Sequence, residues 1–123
     1  MTFIGAVGEP NSVAAFDLRP DVYEAWQQLL GAIKGGVDPR RYELATVAAA
    51  RRMRSSYCML AHGSVLVDKY MPPEELRAIA VDHRAAGLDE VDVAIMDLAE
   101  KVAGDATSVT QEDVDRLRCA TRS

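Results

Sequence analysis

Apolar residues recur along this chain at helical spacing, and no segment sustains the two-residue alternation of a half-buried strand. Val22, Trp26, Leu29, Leu30 and Ile33 form one stripe, opened by Pro20 at a first-turn position and ended near Lys34 by Gly35-Gly36. Asp38 and Pro39 start a second helix that carries Glu43, Leu44, Val47, Ala48 and Ala49 to about Arg54. Ser55-Ser56 predict a break and restart, because serine hydroxyls compete with helical hydrogen bonds and prefer caps. A third helix then takes Cys58, Ala61, His62, Val65 and Leu66 to about Tyr70. Met71-Pro72-Pro73 stops it and restarts a fourth, with Leu76, Ile79 and Ala80 on its buried side and Gly87 at its close. Val91, Ala94, Ile95, Leu98, Ala99 and Val102 mark one face of a fifth helix, and Gly104 to Ser108 read as a connector. Thr110 with Asp113 resembles a capping box for a last helix through Val114 and Leu117. The expectation is an all-α, single-domain bundle of about six helices over residues 20–123, with Trp26 and Met53 in its core. Residues 1–19, punctuated by Gly5, Gly8 and Pro10, read as an irregular arm.

Composition narrows the class. The 123 residues suit one domain, and a hydrophobic content of 49% argues against disorder. Aromatics are only 6%, so small residues, alanine above all, are expected at close helix contacts. A net charge of −5 gives no general attraction to nucleic acid or anionic membrane, and Arg40-Arg41 and Arg51-Arg52-Met53-Arg54 lack interleaved exposed aromatics. No apolar run approaches the ~18 residues of a membrane span, and the N-terminus lacks a basic leader region, so a cytoplasmic protein is expected. Cys58 and Cys119 are too few for a disulfide framework or, alone, for a structural zinc site. Neither a metal nor another cofactor is expected.

The chemistry concentrates between Glu43 and His62. Cys58 and His62, four residues apart, share one side of a helix. A serine cap puts that thiol near a helix N-terminus, where partial positive charge favours thiolate, and the neighbouring arginines favour it again. His62 can hold or relay a proton, and Glu43 from the preceding helix can orient the imidazole or act as base through water. The competing interpretation is structural: a buried small cysteine, a satisfied core histidine and solvated arginines. His83, in Asp82-His83-Arg84 at the end of a helix, is expected at the surface.

Glu43, eleven residues, Ser55, two residues, Cys58, three residues, His62 resembles the core of the alkylhydroperoxidase D-like proteins of the carboxymuconolactone decarboxylase superfamily. Tyr57-Cys58-Met59-Leu60-Ala61-His62 is similar to the Tyr-Cys-x-x-Ala-His segment frequent in that group. The resemblance implies that Cys58 attacks peroxide and becomes a sulfenic acid, that His62 is its paired histidine, and that Glu43 begins a proton relay. It also implies self-association as trimers or higher multiples. Ser55 stands where the redox members carry a second cysteine, so no disulfide can form within this motif. The dithiol cycle and its lipoyl partner are thereby put in doubt, and a one-cysteine cycle with an external thiol reductant remains. Cys119, on the last helix, is expected to point away from the core as an exposed bystander.

Three functions compete. The first is a thiol peroxidase reducing hydroperoxides at Cys58, with His62 and Glu43 assisting and Ser55 replacing the resolving thiol. The second is a non-redox acid–base enzyme like the superfamily's decarboxylases. There Glu43 and His62 move protons on a small carboxylated substrate held by Arg52 or Arg54. The third is an oligomeric interaction protein without chemistry, assembling through small-residue faces and the arm around Phe3 and Ile4.

Overall fold

A computed structural model describes residues 14–121 as six α-helices, with no strand among the described residues. They are α1 (Pro20–Gly35), α2 (Pro39–Arg52), α3 (Ser56–Lys69), α4 (Pro73–Asp82), α5 (Glu90–Asp105) and α6 (Gln111–Thr121). Short 3₁₀ turns follow α4 (His83–Ala85) and α5 (Ala106–Ser108). The all-α expectation is therefore met. Phe3, Ile4 and the rest of residues 1–13 of the expected arm lie outside the described residues. None of these helices is long and apolar enough to cross a membrane.

Contacts divide the chain into two compact units, Met1–Pro39 and Arg40–Ser123. In the first, a turn through residues 14–19 leads into α1, where Pro20 takes a first-turn position and Arg19 makes a two-pronged ion pair with Asp21 at 2.8 and 3.0 Å. No residue of α1 is buried, and Trp26, expected in the core, is 43% exposed. Apart from α1, the described part of this unit is only a turn, too little to enclose an indole.

The second unit holds the core: Leu44, Val47 and Ala48 of α2, Leu66 of α3, Met71, Ile79 of α4 and Met96 of α5. Leu44 and Leu66 are fully enclosed, and each such side chain contributes roughly 1.5–3 kcal/mol through burial. Small residues permit the close packing: a Cβ on Gly63 of α3 would lie 3.2 Å from Leu76 Cδ2 of α4. The helix-five stripe is only partly a core face. Met96, off the expected stripe, is 1% exposed, whereas Val102 is 50% exposed. The reason is that α5 has two apolar sides. Met96 meets the core, while Ile95, Leu98 and Val102 line an open apolar groove with Ala45, Ala49 and Met53. Met53, expected in the core, is 67% exposed at that groove.

Two ends differ from expectation. α5 continues through Gly104 to Asp105 rather than stopping at a connector. α2 stops at Arg52, because Arg54 adopts a left-handed backbone (φ 58°) and closes the helix. Arg54 N–H donates to Arg51 O and Ser55 N–H to Ala50 O, the paired bonds of a Schellman end. The Thr110 capping box forms as expected, Asp113 N–H donating to Thr110 Oγ1 and Thr110 N–H to Asp113 Oδ2.

Candidate active site

Three local devices set the geometry around Glu43. Arg40 and Arg41, in the first turn of α2, both grip Asp92 of α5 at 2.8 and 3.0 Å, and Asp92 is only 2% exposed. Asp89 caps α5 by accepting from Asp92 N–H at 2.7 Å, which fixes the carboxylate they hold. The pair that sequence alone left open as a basic patch is thus a clamp that anchors the start of α2. Glu43 follows one turn later and is buried, 8% exposed.

The Schellman end of α2 delivers the chain directly to Ser55, the N-cap of α3. Ser55 Oγ accepts from Cys58 N–H at 3.3 Å, satisfying one of the orphan donors of a helix start. Cys58 therefore sits in the first turn of α3, half-buried, and His62 follows one turn further along. The imidazole meets Glu43 across the α2–α3 boundary: His62 Nδ1 and Glu43 Oε2 are 2.6 Å apart, with the His62 side chain 25% exposed. An ionised carboxylate has no proton to give, so against ionised Glu43 it is Nδ1–H that donates and Nε2 that stays available for proton exchange.

The structure thus brings Glu43 to His62 and Ser55 to the backbone of Cys58. Sequence reasoning missed Tyr42. Its ring stands edge-on to His62, centroids 6.3 Å apart at 61°, and limits how the imidazole can turn. Burial, and then the charge of Glu43, push the Tyr42 phenol above its ordinary value despite a hydrogen bond from Thr46 that acts the other way. Its place immediately before Glu43, a third of a turn off the site face, was the only signal.

Arg52 and Arg54 are the arginines expected to hold a substrate carboxylate. Arg52 lies over Gly104 of α5, and Arg54 closes α2 with its left-handed backbone, while their neighbour Arg51 donates to Val81 O at 3.3 Å. His83 also departs from expectation: it is buried, 5% exposed, with Nε2 2.7 Å from Asp97 Oδ1. The cause is local, since Asp82 caps the 3₁₀ turn by accepting from Arg84 N–H, carrying His83 inward against α5. Cys119 is exposed, as expected. Among the described residues, no three His, Cys, Asp or Glu side chains converge as a metal site requires.

A sequence model of the carboxymuconolactone decarboxylase family matches residues 20–101, a span that includes Glu43, Ser55, Cys58 and His62. No curated protein and no solved structure matches the chain.

Proposed function

Because the chain belongs to the carboxymuconolactone decarboxylase family, we propose that it is a one-cysteine thiol peroxidase that reduces hydroperoxides at Cys58, with His62 and Glu43 managing the proton. The observation that carries this reading is the 2.6 Å contact between His62 Nδ1 and Glu43 Oε2, one helical turn from a half-buried thiol. Ser55 supplies the cap that makes this helix start regular, with Cys58 in its first turn.

In the reaction, the Cys58 thiolate attacks one peroxide oxygen. The O–O bond breaks, the sulfur is oxidised to sulfenic acid, and the peroxide is reduced to an alcohol or water that takes a proton relayed by His62 Nε2. A small external thiol then displaces hydroxide as water to form a mixed disulfide. A second thiol releases Cys58, so both electrons come from those thiols. Ser55 cannot act as the resolving thiol and serves as the cap. On this reading the enzyme works in the cytoplasm as a homo-oligomer.

Treating the protein with peroxide and a sulfenic-acid trap tests the reading directly. Labelling confined to Cys58 and strongly slowed in Glu43→Gln and His62→Ala is the expected result. Equal labelling in those variants would sink it.

A second reading has one observation in its favour. The Glu43–His62 pair is a complete acid–base unit that needs no sulfur, as a decarboxylase-like reaction on a small carboxylated substrate requires. Cys58→Ser separates the two readings, because acid–base turnover survives that change and peroxide reduction does not.

A further inference from the structure

A cavity of about 420 Å³ opens between α5, α6 and the end of α2. Its size falls within the ~300–1,000 Å³ of small-molecule sites, and Glu43, Cys58 and His62 are not in its wall. The wall is charged, but most of its charge is already matched. Arg84 and Arg116 both bind Asp97, at 2.8 and 2.9 Å, and Lys101 binds Asp113 at 2.7 Å. Three groups are left over. Arg52 makes no ion pair among the described residues. Glu100 only faces His83 Nδ1 at 3.8 Å, and among the described residues the Asp105 carboxylate accepts only from the Thr107 hydroxyl.

Arg52 is held over the cavity by an unusual allowance in α5. A Cβ on Gly104 would lie 2.4 Å from Arg52 Nε and 2.8 Å from its Cζ, so the guanidinium rests where any larger residue would stand. A glycine inside a helix costs backbone entropy, and here its missing side chain is the seat of a wall cation with no ion pair among the described residues. Ala94, Leu98 and Leu117 supply an apolar wall beside these charges.

We infer that this cavity binds a small zwitterionic amino acid with an aliphatic side chain. Arg52 receives its carboxylate, Glu100 and Asp105 receive its ammonium, and the side chain lies on the apolar wall. The unmatched wall groups carry both signs, so a ligand with both charges satisfies them together. A simple carboxylate leaves the acids without a counter-charge, and a simple amine leaves Arg52 unmatched.

The test is titration of the nitrogen-labelled full chain with L-leucine, isocaproate (no ammonium) and isoamylamine (no carboxylate), followed by amide and Arg52 Nε–H shifts. L-leucine is expected to give saturating shifts at Arg52 and Gly104, with each single-charge analogue at least ~10-fold weaker. Arg52→Gln and Gly104→Ala are each expected to weaken L-leucine at least ~10-fold. Gly104→Ala is the stronger control, because alanine is the better helix former and the substitution displaces only the end of a flexible side chain. Non-saturating shifts, analogues that bind as well as L-leucine, or undiminished binding in the folded variants would each overturn the inference.

Discussion

Glu43 Oε2 and His62 Nδ1 lie 2.6 Å apart although they are nineteen positions apart in sequence. The contact depends on a chain of local decisions: the Arg40–Asp92–Arg41 clamp fixes the start of α2, and the left-handed Arg54 ends that helix. Ser55 then begins α3 at once. Each step is ordinary backbone chemistry. Together they put a carboxylate and an imidazole from consecutive helices in contact, one helical turn along from a first-turn cysteine.

If Glu43 orients His62, removing either group removes most of what the other contributes. Glu43→Gln and His62→Ala are each expected to slow the peroxide reaction of Cys58 by ~10²-fold, and the double variant by little more. Stopped-flow rates over this double-mutant cycle provide the check, and fully additive losses would show that the two groups act independently. Because Glu43 is buried, Glu43→Ala is also expected to cost about 1–3 kcal/mol of stability by denaturant unfolding.

Ser55 occupies a capping position from which a second thiol would stand three residues from Cys58 at a helix start. Ser55→Cys is expected to convert the one-cysteine cycle into one that closes on itself. After one equivalent of peroxide, both thiols should be lost to alkylation without any added thiol, whereas the unaltered protein keeps a trappable sulfenic acid. Ser55→Ala is expected to cost ~1 kcal/mol through the lost cap and to slow oxidation of Cys58. Mass spectrometry of the alkylated chain distinguishes these outcomes.

Arg54 is a non-glycine residue at φ 58°, in the position of a Schellman end that glycine normally fills. Arg54→Gly is therefore expected to stabilise the protein by ~1 kcal/mol, raising the denaturation midpoint with no change in slope. A loss of stability would mean that the arginine side chain contributes more than its backbone conformation costs.

How far these features were legible varies with their physical origin. Helix starts were readable because proline, serine and threonine at N-termini act locally: Pro20, Ser55 and Thr110 all do what their chemistry predicts. The motif from Glu43 to His62 was readable because its spacing crosses a single turn. Burial was less so. Asp92 and His83 are polar residues whose partners lie far along the chain, and no local pattern marks Arg40, Arg41 or Asp97 as those partners. For Trp26, Met53 and Val102, periodicity correctly found apolar faces, yet an apolar face does not say whether it meets a core or an open groove.

Asp97 is the best place to see a carboxylate working as a structural hub. It accepts from Arg116, faces Arg84 at 2.8 Å and pairs with buried His83, so α5, α6 and the turn after α4 meet at one group. Burial alone pushes its carboxyl upward, but hydrogen bonds from His83 and Arg116 and the charge of Arg84 outweigh that and hold it below the ordinary 3.8. A carboxyl lowered on folding contributes stability above its unfolded value and loses it as pH falls through the lower folded one. Asp97→Asn, which keeps the shape but not the charge, is thus expected to cost ~2 kcal/mol near neutral pH. The gap from the unaltered protein should hold down to about pH 5 and close as the pH falls past the ordinary carboxyl value. Acidic groups remote from Asp97 cancel in that difference, so urea unfolding of both proteins across the acid range reports on Asp97 together with the His83 it pairs with. A gap that stays constant with pH would mean that Asp97 acts through its shape and neutral hydrogen bonding rather than through its charge.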